Sequence, residues 1–249
     1  MANKSHALDF YLELSKGRIP GHIGINKFGY NLDVDTTTLP ETIWSYGGQV
    51  PFPSGFSALS ISSSSTNDTS GGAGAIKIKI QGLDNNYDII EEEVTLNGTS
   101  TVNSTVYSNW HRVHRAFVTE AGSLEHNVGN INISIGSDVV AQIPAEHSQT
   151  QQAVYTIPAG HKGYIVNFSG AIIRSGNNKS ASIVLYKRVN NVSRSIQEIA
   201  VQSDGVTNIN KTYTIPIPIE EKADVYVNAI SINADNTNIF SNFGLVIFK

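Results

Sequence analysis

The stretch Ala75-Ile76-Lys77-Ile78-Lys79-Ile80 alternates apolar and basic residues with a period of two. A β-strand puts successive side chains on opposite faces, so the Ile residues read as inward and the Lys residues as solvent-facing. Gly82-Leu83-Asp84-Asn85-Asn86 follows as a turn, and Ile89 to Leu96 reads as the returning strand with acidic residues interleaved. Asn97-Gly98 then makes a strong turn dipeptide. The same grammar continues outward. Trp110 to Val118 and Ile131-Asn132-Ile133-Ser134-Ile135 read as strands, and no stretch from residue 73 onward carries a helical period.

A polar, unpatterned segment, Pro144 to Gln152, marks a candidate boundary, after which the pattern restarts. Strands are expected at Ala153–Ile157, Gly163–Ile173, Ala181–Val189, Ile196–Val201, Lys211–Ile219, Ala223–Ile232 and Phe240–Phe248. Turn signals separate them at intervals of about 10–15 residues, the signature of a sandwich or jelly roll. Pro216 and Pro218 cannot donate to a ladder, which places their strand at an edge. The expected fold is all-β, an antiparallel β-sandwich or jelly-roll-like arrangement: an extended N-terminal arm (residues 1–50) and two sandwich domains (residues 51–147 and 148–249).

The first fifty residues read differently. Phe10, Leu12 and Leu14 alternate with Tyr11, Glu13 and Ser15, which favours a strand. Gly17, Pro20, Gly21, Gly24, Gly29, Pro40, Gly47, Gly48, Pro51 and Pro53 then interrupt regular structure. Long segments of this kind are uncommon inside compact domains and are expected here as a strap lying on another subunit. Ser62 to Gly72 is low-complexity and reads as a flexible surface loop.

Composition narrows the function classes. The 249-residue, 26.9 kDa chain is 40% hydrophobic and only 15% charged, against roughly 25% charged in an average domain. Asn, Ser, Thr and Gly fill the deficit, suiting β surfaces crowded by neighbours, where charge would be costly. Net charge is −4 with a pI near 6.0. No basic stripe exists for nucleic acid, and the acidic run Glu91-Glu92-Glu93 reads as a solvated strand. The absence of Cys removes disulfides and thiolate metal sites. No secretory leader is read at the start, so the Asn-x-Ser/Thr sequons at Asn67, Asn97, Asn103 and Asn132 are not taken as glycosylated. No apolar run is long enough to span a membrane.

Motifs for chemistry are sparse. His111 and His114 have H-x-x-H spacing, but on a strand residues three apart face opposite ways, which disfavours a shared metal. Asp84-Asn85-Asn86-Tyr87-Asp88 imitates the start of a calcium loop, yet Ile89 stands where Gly is needed and Thr95 where Glu is needed. Asp33, Asp35, Glu120 and Glu125 are dispersed carboxylates that only folding could bring together as a glycosidase pair. Nucleophile-elbow, phosphate-loop, zinc-protease and dinucleotide signatures are absent. No enzymatic activity, metal or cofactor is expected. Trp44 and Tyr46 share a face of an extended segment, either as a sugar-stacking platform or as anchors of the arm. With Phe28, Phe52 and Phe56 they form the candidate assembly surface.

Several stretches carry a resemblance. They are Gly21-His22-Ile23-Gly24-Ile25-Asn26-Lys27-Phe28-Gly29 leading into Asp33-Val34-Asp35-Thr36, then Glu41-Thr42-Ile43-Trp44 through Gly47-Gly48, and Pro51-Phe52-Pro53. Gly82-Leu83-Asp84, Glu93-Val94-Thr95-Leu96-Asn97-Gly98, Tyr155-Thr156-Ile157-Pro158-Ala159-Gly160 and Pro216-Ile217-Pro218-Ile219-Glu220-Glu221-Lys222-Ala223-Asp224 add to them. Together these motifs resemble a group of virion structural proteins, decoration-like auxiliary capsid proteins of tailed, mostly marine, bacteriophages. In that group an Asp often follows the Trp, where this chain has Ser45. The resemblance implies a non-enzymatic decoration or cement protein, oligomeric and bound to the major capsid protein, in a virion assembled in the host cytoplasm. It carries over no catalytic residue. A tail, collar or baseplate component and a module binding host-surface glycans are the alternatives; neither nucleic acid nor membrane is an expected partner.

Overall fold

The structure is a computed structural model that describes residues 6–172, 178–204 and 207–249, with side chains from Phe10 onward. Its strands form four antiparallel sheets. The first runs β1 (His22–Val34), β16 (Thr237–Phe248), β11 (Lys162–Ile172), β14 (Asn208–Ile219). The second runs β10 (Val154–Thr156), β15 (Asp224–Ile232), β12 (Ser180–Val189), β13 (Val192–Gln202), with β2 (Glu41–Thr42) added to β15. The third runs β6 (Val102–Asn103), β3 (Leu59–Ser63), β8 (Ile131–Ile135), β9 (Asp138–Ile143). The fourth runs β5 (Ile89–Thr95), β4 (Ala75–Asp84), β7 (Trp110–Ala121).

Side-chain packing groups these sheets two by two. Ile165 and Phe168 of β11 and Phe243 and Leu245 of β16 share one buried apolar cluster with Ile183 and Leu185 of β12 and Val225 and Val227 of β15. Leu59 and Ile61 of β3 and Ile131 and Ile133 of β8 share another with Ile78 and Ile80 of β4 and Trp110 of β7. The period-two alternation of Ala75–Ile80 is visible in β4, where Ile78 and Ile80 are fully buried. The smaller cluster draws only on residues between Leu59 and Ile143, while the larger takes Val34 and Ile43 from the N-terminal side and the rest from Ala153 onward. The smaller β unit is therefore inserted between β2 and β10 of the larger one.

Most strand readings coincide with observed strands to within a few residues; Ile173, the last residue of one expected strand, lies outside the described residues. The hairpin of β12 and β13 is longer than the sequence pattern indicated. Asn190 and Asn191 turn it with φ of 49° and 62°, as a two-residue loop matching strand twist requires.

Three expectations are corrected. Residues His6–Ser15 form a helix, α1, rather than a strand. Leu and Glu favour helix intrinsically, and Gly17 closes it with φ of 68° while Gly17 N–H and Arg18 N–H donate to Leu14 O and Glu13 O. The segment after it is built into the sheets of its own chain: β1 pairs with β16 from His22↔Phe248 to Asn31↔Ile239, and β2 pairs with β15. Gly29 is a packing residue. A Cβ on Gly29 would lie 2.4 Å from Ile43 O and 2.5 Å from Ala153 N, so three backbone segments meet where only glycine fits. Finally, Ser62 to Gly72 is organised rather than loose. Asp68 is fully buried and its carboxylate accepts from Ser63 Oγ (2.5 Å), Ala75 N (2.9 Å), Val128 N (2.8 Å) and Gly129 N (2.8 Å).

Candidate functional site

The densest polar chemistry lies where the two units meet. In β7, Trp110, His111, Arg112, Val113 and His114 are all buried. Trp110 and Val113 enter the smaller cluster, Arg112 reaches Asp224 of the larger unit, and His111 bonds to Gly55 and Tyr87 of its own unit. Register irregularities opposite Gly82 and Asp84 accompany this double burial. The segment expected as a domain boundary is part of the same seam: Thr150, Gln151 and Gln152 are buried, and Gln152 Nε2 donates to Val113 O (3.0 Å) and His114 O (3.3 Å).

One charge cluster dominates. Arg112 Nε donates to Asp224 Oδ1 at 3.0 Å, Arg188 Nη1 to Asp224 Oδ2 at 2.8 Å, and Thr156 Oγ1 to Asp224 Oδ1 at 2.7 Å. Arg112 Nη1 also donates to Pro53 O (3.0 Å) and His111 O (2.9 Å). The Phe52 ring lies beneath both guanidinium groups, 5.5 Å from that of Arg112 and 4.9 Å from that of Arg188. A buried carboxylate thus holds two cations from different units, with its remaining lone pairs satisfied.

The histidines are absorbed into this junction separately. His111 Nδ1 lies 2.9 Å from Gly55 O and Nε2 3.1 Å from the Tyr87 hydroxyl. His114 Nε2 accepts from Thr156 N at 3.2 Å, and its ring packs on Tyr155 with centroids 4.0 Å apart. Burial, reinforced by Lys27 and Arg112, holds His114 well below the usual imidazole range, so it stays neutral and can accept. Burial and Arg112 also lower His111. Lys27, from β1, donates to His114 O; burial first and Arg115 second push its amine down to about 7. Burial pushes the Tyr155 phenol up.

The sequence-chosen aromatics do not share one surface. Trp44 is 1% exposed, its indole N–H donates to Gly48 O at 3.0 Å, and it packs with Val50, Val154 and Tyr226. It is an anchor to its own chain and cannot stack a sugar. Tyr46 covers it, 5.3 Å between centroids, and is itself exposed. Phe52 belongs to the Arg112–Arg188 cluster, Phe56 is exposed ahead of β3, and Phe28 is half-buried on the outer face of the first sheet. Two of the dispersed carboxylates are engaged in separate places: Glu120 pairs with Lys77 at 2.6 Å, and Asp35 accepts from Asn236 N at 2.9 Å. Asp84 closes a turn by accepting from Asn86 N (2.8 Å) and Asp88 N (2.9 Å). The roles of Arg112, Asp224 and Lys27 escaped sequence reading. The one signal, for Arg112 alone, was the crowding of His111, Arg112, His114 and Arg115 on a strand that should alternate.

No family model matches the chain, and no curated protein matches it. Among solved structures, the infectious bursal disease virus VP2 subviral particle aligns with 93% of this chain and 77% of its own at 9% identity and a TM-score of 0.21. The infectious bursal disease virus Gt strain aligns with 96% and 77% at 10% identity and a TM-score of 0.20. Likeness at that level carries no inference about function.

Proposed function

We propose that this chain is a non-enzymatic structural protein of a tailed-phage virion, carried on the shell as a decoration or cement protein. In this reading it touches the major capsid protein and neighbouring copies of itself, in particles assembled in the host cytoplasm. The observation that supports it is the seam. The Asp224 carboxylate, both its guanidinium partners and the buried Lys27 and His114 are bound between the two β units. That arrangement braces a two-unit body, whereas a catalytic site would aim such groups at a substrate. Low overall charge and the phage-like motifs support the same reading. Each pair of sheets is read as one antiparallel sandwich, the two standing side by side.

Attachment then falls on side chains that project from this body. Helix α1 replaces the expected strap as the attachment element, because Phe10, Tyr11 and Leu12 are exposed while Leu14 holds the helix over Gly24. Tyr46, Phe56 and Val106 are further exposed apolar groups. The long edge strand β14 is an unsuitable contact for another strand, since Lys211, Pro216 and Pro218 blunt it.

Quantitative mass spectrometry of purified virions tests the reading. Hundreds of copies per particle support the shell; about a dozen or fewer move the chain to the tail, collar or baseplate; none removes the virion role. Deleting residues 1–15, which leaves β1 whole, should abolish incorporation while the protein stays folded.

A further inference from the structure

We propose that the outer face of the first sheet binds an uncharged oligosaccharide. Strand register builds this face row by row. Asn26, Gly244, Asn167 and Thr212 stand side by side across the four strands. Phe28, Asn242, Ser169 and Asn210 form the next row, then Tyr30, Phe240, Ala171 and Asn208. The alternate positions, Phe168 and Phe243, point into the core. A cleft of about 610 Å³ lies over the first two rows, reaching Asn208 and Phe240.

Three properties of the face select the ligand. Asparagine is depleted in strands because it packs poorly on a pleated surface, yet this cleft is lined by Asn26, Asn167, Asn208, Asn210 and Asn242. Among the described residues, none of these five amides has a hydrogen-bond partner within the chain. The buried asparagines among the described residues are engaged instead. Asn127 Nδ2 donates to Gly129 O and Pro144 O, Asn31 Nδ2 to Glu41, and Asn228 Oδ1 accepts from Thr42. Each unpartnered amide offers a donor and an acceptor side by side, the pair of functions that vicinal hydroxyl groups of a sugar complement.

Second, the three rows contain no ionisable acid or base other than the Tyr30 phenol. Lys27, beneath the cleft, is turned away to His114 O. A nucleic acid would require cations here. Third, Phe28 and Phe240 are half-buried beside the amides and give apolar ring faces for the C–H side of a pyranose. Gly244 completes the floor. A Cβ there would come within 2.7 Å of Asn167 Nδ2, so only glycine lets that amide lie across the strand.

The cleft also continues. Asn26, Asn167 and Thr212 line a second hollow of about 580 Å³ that runs between the sheet face and α1, past Leu14 to Tyr11. A groove continuous over both hollows suits a linear oligosaccharide rather than a single sugar. The proposal does not rest on the virion role, and its failure would leave that role untouched.

The test uses the full chain in titration calorimetry with maltohexaose, cellohexaose, chitohexaose and mannohexaose at up to about 1 mM, the range of weak recognition. At least one should bind. Asn242→Ala and Phe28→Ala should each weaken it at least about tenfold with an unchanged melting temperature, whereas Tyr46→Ala, remote from the face, should not. Binding to none of the four, or binding indifferent to Asn242→Ala and Phe28→Ala, overturns the proposal. Sedimentation provides the rival outcome: self-association abolished by Asn242→Ala, without sugar binding, would make the face a contact between copies and overturn it too.

Discussion

The seam between the two β units and the outer face of the first sheet are both polar, and they treat polarity in opposite ways. In the seam, Arg112, Arg188, Asp224, Thr156 and Gln152 are buried or nearly so and bonded to one another or to backbone carbonyls. On the sheet face, the amides of Asn26, Asn167 and Asn242 are unpartnered and open to solvent. Desolvated polar groups stabilise only when satisfied, whereas solvated ones cost nothing while idle and remain available to a ligand. Strand β1 belongs to both regions: Lys27 points into the seam, and Asn26 and Phe28 point out onto the face.

The most damaging way to break this comparison is to remove the shared strand. Deleting residues 1–45 removes β1, β2, Val34, Ile43 and Trp44, so the larger unit should fail to fold and the protein should lose its cooperative thermal transition. A soluble, cooperatively melting product would show that the N-terminal segment is dispensable. Next comes Asp224→Ala, which leaves two guanidiniums unpaired. It should cost about 3–5 kcal/mol by urea denaturation, and a loss under about 1 kcal/mol would mean the cluster does not brace the units.

Protonation distinguishes the regions further. Lys27 titrates at about 7 when folded against 10.5 ordinarily. Between those values the unfolded chain holds a proton that the folded chain lacks, so stability rises with pH across that window and levels off below it. His114, held well below 6.5 by burial, Lys27 and Arg112, adds a rise of the same sign as pH climbs toward 6.5. The gain attributable to Lys27 should reach about 2–4 kcal/mol by pH 10, and Lys27→Met should abolish it; denaturation curves at pH 6, 8 and 10 measure both. The smallest effect belongs to the sheet face. Asn242→Ala should change stability by less than about 0.5 kcal/mol, as expected where no bond is lost.

Legibility followed the range of the interactions. Ile78 and Ile80, the Asn97-Gly98 turn and the strands from Trp110 onward were readable because period-two alternation and turn residues are local signals. The helix at His6–Ser15 was missed because Phe10, Leu12 and Leu14 mimic alternation over a span too short to separate the two periods. Gly24 and Gly29 read as punctuation, yet Gly24 lies under the Leu14 side chain and Gly29 is a contact point of packed backbone. Asp68 looked like loop composition, and its role depends on Val128 and Gly129, some sixty residues away.

By itself the sequence determined that this chain is built of antiparallel β-strands, poor in charge and free of cysteine, since each of those properties is set by neighbours in the chain or by composition. The tertiary structure alone decided three things: that β1 closes on β16 at the far end of the chain, that Trp44 turns inward, and that asparagines from four strands share one face. The physical reason is that strand pairing and register are set between distant segments, and a shift of one residue would send every one of those side chains to the other side of the sheet.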